Sequence, residues 1–532
     1  MKVKLVVLAM CLGFTQHHAG GQETSMLVDA QGRQIEARIR SVSDGEVTIK
    51  RGDGRTFTLG VDKFDLRTQH MLRNWNERDV LARTLGATLK AVEIRSTVHG
   101  ANNLTALYFR NSAGKALIDN NRISESIKYL LETADLWAKT RSSDWGAHQA
   151  AHLLGFAMLL KQADEDGEKL LVEGLEGMLQ TQKKLKNPKG VTLMMSESTE
   201  RVFRYFEAKS TEESKRWKQV NESFQAQVAA KEKMPMDLGR LKKRTTAHFI
   251  LASPYSSIGD YTRTAEKTWE ELAKVIPSLV SDFEKGYFRT PNGQKGSLDQ
   301  YNEDGQFKFL LVLADKKTLD PITGSYLETL TDARERKAAT DLAAYNGFVE
   351  DVKNRFLVAK VSDPKSYTDP NDNFTFNRLI HNVPSALLKL TLRTKNEPHW
   401  LSSGIGYHFE HQLTGVASVH YSNMNFNQAG LRRYTDWHDA VRNLVRGGSK
   451  PNIKRMIWGG DRQAEDYGFL WALAELLLST PEKQAQLGDF ILQQRQNRVY
   501  MNEKEVALWF GYEDPEAMGR ALSFFILSKA FD

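Results

Sequence analysis

Residues 29–75 read DAQGRQIEARIRSVSDGEVTIKRGDGRTFTLGVDKFDLRTQHMLRNW, and this stretch decides the fold of the N-terminal part of the chain. Its apolar residues alternate with polar ones, as in strands with one buried face; they are Ile35, Ala37 and Ile39, then Val47 and Ile49, then Phe57 and Leu59. Between these runs lie Gln31-Gly32, Asp44-Gly45 and Asp53-Gly54. Asp-Gly favours a hairpin because glycine accepts a positive φ. The pattern predicts about four short strands over residues 26–64 in a small twisted barrel, closed by a short helix that ends at Trp75.

The composition of the whole chain is typical of a globular protein. Of 532 residues, 41% are apolar and 26% are charged. At roughly 100–200 residues per domain, this length predicts about three or four domains. The formal net charge of +7 is small for such a chain and does not indicate a nucleic-acid partner. Cys11 is the single cysteine, which excludes an internal disulfide framework and any zinc or iron–sulfur site built from several cysteines.

Residues 1–21, MKVKLVVLAMCLGFTQHHAGG, have the layout of a secretory signal peptide. Two lysines precede an apolar stretch from Leu5 to Phe14, and Ala19 and Gly21 are the small residues of a cleavage site. The apolar stretch is too short to span a bilayer, and no later stretch approaches about 18 uninterrupted apolar residues. We therefore expect a secreted or periplasmic protein with no transmembrane segment, whose mature chain has no cysteine.

The remaining sequence alternates between helical and strand patterns. Apolar residues at helical spacing predict a helical region over residues 77–235, with a charged linker helix near 211–233. The short apolar runs 246–252 (TAHFILA) and 307–313 (FKFLLVL) are suited to buried strands. After about residue 374 the pattern is helical again, and Asp514-Pro515 predicts a helix start with an N-cap and a first-turn proline. The predicted fold class is α+β and mainly helical.

The N-terminal stretch also resembles the Sla-type homology domain, an SH3-like barrel that occurs in bacterial secreted proteins. The similar features are an opening Gly-Arg, the central GEVTIKRGDGRTFTL at residues 45–59, and Asp-Lys-Phe at 62–64 before a closing helix. The resemblance covers residues 24–76. It implies a small SH3-like β-barrel that binds a peptide or protein ligand and carries no chemistry.

Residues 244–532 resemble the peptidase-MA-like gluzincins in the segments FNRLIHNVPSALLKL (376–390) and EPHWLSSGIGYHFE (397–410). In that family a helix with an H-E-x-x-H pattern precedes a P-x-W-L-x-E-G-x-A-x-Y-F-E segment. Two histidines at i and i+4 and a later glutamate hold zinc, and the glutamate between the histidines activates the metal-bound water. His381 matches the first histidine, and Trp400-Leu401 with Gly404 matches the Trp-Leu-x-Glu-Gly core. The resemblance implies a gluzincin-like α+β domain.

Three positions of this motif lack the residues that the chemistry needs. Asn382 stands in place of the general base, Ser385 in place of the second histidine and Ser403 in place of the third zinc ligand. Asparagine cannot act as a base near neutral pH, and a serine hydroxyl is a poor zinc ligand. We therefore expect no intact catalytic site and no cofactor.

Pro384 adds a backbone constraint to the same segment. Inside a helix, proline lacks one hydrogen bond and clashes with the carbonyl four residues earlier. We therefore expect Asn382 to be the N-cap of a helix that begins at Val383. His381 would then lie outside that helix.

Two sets of histidines offer alternative metal sites. His381, His408 and His411 would form a rearranged zinc site, although histidines left on an inherited scaffold are the simpler interpretation. His148 and His152 have the ligand spacing of the zinc motif, with Gln149 in place of the base. Apolar neighbours around this second pair favour a buried core helix.

The chain has no P-loop, no G-x-G-x-x-G and no G-x-S-x-G, so nothing indicates a phosphate-binding loop or a serine nucleophile elbow, whereas acidic pairs are too common to exclude a glycosidase. The sequence therefore predicts an exported, non-catalytic pseudo-metallopeptidase that binds or scaffolds a peptide or an envelope polymer. The alternative is an active metal-dependent hydrolase, a peptidase, with zinc held by His381, His408 and His411.

Overall fold

A computed structural model of the chain describes residues 24–43, 45–162, 165–185, 191–209, 212–229, 241–255, 258–276, 308–314, 316–329, 333, 336–337, 340, 348–351, 356–360, 379–385, 387–388, 398–417, 430–431, 437–459, 462–497 and 501–531. The predicted signal peptide lies outside these residues. The chain divides into two compact units, Met1–Pro188 with Met194–Glu222, and Lys189–Leu193 with Ser223–Asp532. The described part is mainly helical with two sheets, as the α+β class predicts. None of the helices in these ranges is long and apolar enough to cross a membrane.

The first unit begins with a four-stranded antiparallel sheet in the order β1-β2-β3-β4. Its strands are β1 (Ser25–Val28), β2 (Gln34–Ser43), β3 (Glu46–Arg51) and β4 (Thr56–Gly60). The turns contain three glycines with φ between +79° and +84°, which are Gly32, Gly45 and Gly54. The predicted hairpin positions are therefore confirmed.

The segment after β4 returns to β1 and closes one side of the sheet. Ala30 N donates to Lys63 O and Asp65 N donates to Val28 O, both over 2.9 Å. Helix α1 (Leu66–Arg73) follows, and a 3-10 turn, Trp75–Glu77, comes directly after it. Together they enclose a core formed by Leu27, Ala37, Ile39, Val47, Ile49, Val61, Phe64 and Leu72.

Phe57 is an exception to the predicted burial of this sheet. It lies opposite Ile49 in the register, on the face that the alternation assigns to the core, yet 37% of its surface is exposed. Phe57 lies on β4, at the edge of the four-stranded order, but Leu27 on the other edge strand is fully buried, so the edge position alone does not account for the exposure of Phe57.

The helical region expected between residues 77 and 235 is present in the described part of that range, which ends at residue 229. Its helices are α2 (Arg78–His99), α3 (Leu104–Asp119), α4 (Ile123–Arg141), α5 (Trp145–Leu160), α6 (Glu165–Gln182), α7 (Thr192–Lys209) and α8 (Glu212–Ala229). The apolar stripe of α6 is fully buried at Leu171, Leu175 and Met178, as its helical spacing indicates. The predicted linker helix corresponds to α8.

The second unit contains a five-stranded sheet in the order β5-β6-β7-β9-β8. Its strands are β5 (Lys242–Thr245), β6 (Phe249–Ser253), β7 (Phe309–Ala314), β8 (Phe348–Asp351) and β9 (Phe356–Lys360). β7 runs parallel to both β6 and β9, and every residue of β6 and β7 is buried. The two apolar runs therefore form buried strands, as predicted. α9 (Ile258–Val275) packs against β6 and α10 (Lys316–Thr329) against β9.

The rest of the second unit is helical wherever it is described and regular. Its helices are α11 (His399–Thr414), α12 (Trp437–Arg446), α13 (Ile453–Trp458), α14 (Ala464–Leu478), α15 (Pro481–Asn497), α16 (Glu503–Trp509) and α17 (Pro515–Leu527), and residues 379–385 are also helical. α17 begins as predicted, because the Asp514 side chain accepts from Ala517 N over 2.6 Å and Pro515 is its first residue. α11 and α14 pack together at the centre, and every residue from Trp400 to Glu410 is buried.

Candidate functional site

Residues 379–385 contain the first part of the degenerate motif, and all of them are helical. The prediction of a helix beginning at Val383, with His381 outside it, is therefore wrong. Proline in a helix interior costs about 3 kcal/mol, whereas burying one large aliphatic side chain contributes about 1.5–3 kcal/mol. Burial outweighs the cost of Pro384 because several apolar side chains here are at most 5% exposed, namely Leu379, Ile380, Val383, Leu387 and Leu388.

His381 is a core residue. Its side chain is 2% exposed, and its Nδ1 lies 3.2 Å from Oε2 of Glu410, which is fully buried on α11. The Tyr407 ring meets the imidazole edge-on, with 4.5 Å between centroids. Gly406 is so close that a Cβ there would lie 2.7 Å from His381 O. A catalytic zinc keeps one coordination position open to water, whereas these contacts enclose the imidazole.

The other positions of the motif lie in different surroundings. Asn382 and Ser385 are partly exposed on the helical segment, and Ser403 is buried on α11. Ser403 Oγ lies 2.7 Å from Nδ1 of His399, and Arg462 Nη1 lies 3.1 Å from the same nitrogen. Because a guanidinium only donates, Nδ1 accepts and a neutral His399 carries its proton on Nε2. Ser403 therefore hydrogen-bonds within its own helix, where the metallopeptidase motif has a zinc-ligating carboxylate.

His408 and His411, both on α11, lie near Glu475 but differ in their other contacts. His408 Nδ1 lies 2.9 Å from Glu475 Oε1. Burial opposes ionisation of Glu475, but its hydrogen bond with His408 and the charge of that ring hold the carboxyl pKa below its ordinary value. The His411 ring lies 4.9 Å from the rings of His438 and Trp471. His408 is thus a member of an acid–imidazole pair, whereas His411 belongs to an aromatic cluster.

These contacts do not form the alternative zinc site. Within the ranges that the structure describes, no group of three or more His, Cys, Asp or Glu side chains is arranged to hold a metal ion. The structure therefore does not bring His381, His408 and His411 together as one set of ligands.

The second histidine pair, His148 and His152, lies on α5, where glycines of α6 pack closely against it. His152 is fully buried and its Nδ1 lies 2.9 Å from Leu171 O. Burial lowers the pKa of His152 to about 3. A Cβ on Gly174 would lie 2.5 Å from His152 N, and a Cβ on Gly177 would overlap the His148 ring. This is the geometry of a buried core helix, which the apolar neighbours favour.

Sequence reasoning missed the partners of the histidines on α11. Arg462 and Glu475 are 63 and 67 residues from the histidines that they contact. Arg462 is fixed at its other side by two hydrogen bonds of 2.8 and 3.1 Å to Met456 O. No motif indicates Arg462, but a single acid inside the apolar run LWALAELLL marks Glu475 as a polar group in need of a partner.

The site is thus a set of histidine contacts on α11 and its neighbours within the second unit. Comparisons of the chain with protein-family models, with curated proteins and with solved structures found no match. The two resemblances therefore rest on the quoted residues.

Proposed function

We propose that this protein is an exported, non-catalytic pseudo-metallopeptidase of gluzincin type that binds or scaffolds a peptide or an envelope polymer. The observation that carries the proposal is the enclosure of His381 between Glu410 and Tyr407. His381 is the motif position that keeps its histidine, and its imidazole packs inside the core instead of facing a metal site.

The chemistry of the neighbouring positions supports the same conclusion. A gluzincin needs a carboxylate base next to the first histidine and a carboxylate ligand on the following helix. Asn382 and Ser403 supply an amide and a hydroxyl instead, and the Ser403 hydroxyl interacts with His399. Neither group activates water at neutral pH.

Ligand binding belongs, in this proposal, to the N-terminal sheet. The support is the resemblance of residues 24–76 to the Sla-type domain, together with the order of four strands and a closing helix. The signal-peptide layout of residues 1–21 supports export. N-terminal sequencing of the protein recovered outside the cytoplasm is expected to begin at Gln22, and a start at Met1 in that fraction would contradict a cleaved leader.

Metal analysis of the purified chain tests the loss of catalysis. We expect well below one zinc per chain, and no peptide hydrolysis that a chelator abolishes. The matched variant restores three motif residues by Asn382→Glu, Ser385→His and Ser403→Glu, and a gain of bound zinc in it would support the inferred ancestry. Zinc near one per unmodified chain, lost together with hydrolysis on chelation, would overturn the proposal.

A further inference from the structure

A cavity of about 360 Å³ lies within the first unit, between the sheet and the ends of two helices. β1 and α1 form one wall, and the residues that follow α3 and α5 form the other. Ligand pockets usually measure about 300–1,000 Å³, so this cavity is suited to one or two amino-acid residues.

Two residues of its wall have an unusual backbone. In the part of the chain that the structure describes, Asn121 (φ 57°) and Gln162 (φ 72°) are the non-glycine residues with positive φ, and both line the cavity. Each follows the C-cap of a helix, where glycine is the usual residue. The chain has glycine at the corresponding position after α16, where Gly511 (φ 85°) follows the C-cap Phe510. Asparagine adopts this conformation more readily than other non-glycine residues, whereas at Gln162 the backbone is strained. Strain of this kind concentrates at functional sites.

The charges around the cavity favour an anionic ligand. Arg67 and Lys161 line it and are exposed. Arg67 Nε donates to Asn121 Oδ1 over 3.1 Å, which uses one of the five N–H donors of its guanidinium. Asp65 also lines the cavity, but it is the N-cap of α1 and accepts from Thr68 N over 2.8 Å. Arg67 and Lys161 outnumber the single carboxylate of Asp65, so the cavity lining has an excess of positive charge. Such a lining favours a ligand that carries a carboxylate.

The remaining lining suits a short piece of peptide. Asn121 and Gln162 carry amide groups that both donate and accept, as a peptide bond requires. Met71 and Leu160 provide an apolar wall, and the flexible thioether of methionine adapts to side chains of different shape.

We propose that this cavity binds the C-terminal residue of a peptide. Its carboxylate lies at Arg67 and Lys161, its last peptide group at Asn121 and Gln162, and its apolar side chain toward Met71. The inference rests on the proposed peptide-binding function and names the part of the peptide that is recognised.

The test uses the full-length protein and a pool of N-acetylated tetrapeptides with an apolar last residue, made as free acids and as C-terminal amides. Peptides retained with the protein are identified by mass spectrometry, and the affinities of the best are measured by calorimetry. We expect the acids to bind at least about tenfold more tightly than the amides, because a charge-assisted hydrogen bond is lost on amidation.

Variants locate the binding site. Arg67→Gln is expected to weaken the acid peptide about tenfold, whereas the control Arg55→Gln, in the exposed β3–β4 hairpin, leaves it unchanged. Asn121→Gly and Gln162→Gly remove the amides at positions whose φ glycine accepts. They should weaken binding while the thermal unfolding midpoint stays near that of the unmodified protein or rises.

The outcomes separate this inference from the proposed function. Equal binding of acids and amides, or cavity variants that bind as the unmodified protein does, would overturn the cavity assignment and leave peptide binding intact. Cleavage of the peptides in a zinc-dependent manner would overturn the non-catalytic function, while the cavity variants would still report on binding. Retention of no peptide with either terminus would overturn the cavity assignment and the peptide-binding form of the proposed function, and would leave only the envelope polymer as its ligand.

Discussion

Replacing Gly406 by alanine tests the enclosure of His381 without removing a polar group. The added Cβ would lie 2.7 Å from His381 O and 3.0 and 3.1 Å from Cε1 and Nδ1 of its ring. The His381 carbonyl is fixed in its helix and cannot move aside as the end of a flexible side chain can. Overpacking usually costs about 1–3 kcal/mol, and we therefore expect a cost near the upper end of this range. Alanine gains about 1 kcal/mol over glycine in a helix interior. The free energy of unfolding of the second unit should therefore fall by about 2 kcal/mol.

Gly324→Ala is the matched control within the same unit. Gly324 lies on α10, and a Cβ there would meet no atom within 4 Å. This variant should be neutral or more stable by up to about 1 kcal/mol. Urea unfolding followed by hydrogen exchange of α11 peptides measures both variants. Equal stability of Gly406→Ala and Gly324→Ala would show that the close contact is absent, and would refute the enclosure of His381.

Three further predictions concern buried groups. Glu410→Ala should lower the free energy of unfolding of the second unit by about 2–5 kcal/mol, because truncating this fully buried side chain leaves a cavity beside the His381 imidazole, whose Nδ1 lies 3.2 Å from Glu410 Oε2; an unchanged urea midpoint would argue against that packing. Burial lowers the pKa of His152 from 6.5 to about 3, so below pH 6.5 the unfolded chain binds a proton that the folded chain does not. The stability present above pH 6.5 is then lost as the pH falls toward 3, by up to about 1.4 kcal/mol per pH unit. His152→Asn should reduce this dependence of the free energy of unfolding on pH, measured by urea titrations. The same pH dependence in both proteins would contradict the burial of His152. Gly174→Ala should destabilise α5 and α6 by about 2 kcal/mol in hydrogen exchange, whereas Gly86→Ala, with no atom within 4 Å, should gain up to about 1 kcal/mol; similar effects of the two would exclude close packing at Gly174.

Local signals in the sequence predicted much of the secondary structure. Gly32, Gly45 and Gly54 occupy turns at positive φ because their neighbours alternate as strands. Asp514 caps α17 because its short carboxylate reaches the backbone N–H three residues later. Each of these features depends on residues only a few positions apart, so it can be predicted from the local sequence without knowing the tertiary contacts.

The features that were missed depend on distant contacts. Pro384 lies within a helix because burial of the surrounding apolar side chains outweighs its local cost, and the packing partners are far along the chain. Phe57 is partly exposed although it alternates as the buried residues do, so alternation does not show which parts of the sheet face the other elements cover. His408 and Glu475 are 67 residues apart, so no spacing rule joins them. The motif positions could be found from the sequence, but the contacts that enclose them could not.

Incubating the protein with the peptide pool, first free of metal and then loaded with zinc, tests the central claim most directly. Mass spectrometry measures in one experiment the fraction of peptide bound and the fraction cleaved. A non-catalytic peptide-binding protein retains peptide in both states, and every retained peptide is recovered intact. Fragments that appear when zinc is added, and disappear when it is chelated, would contradict the account.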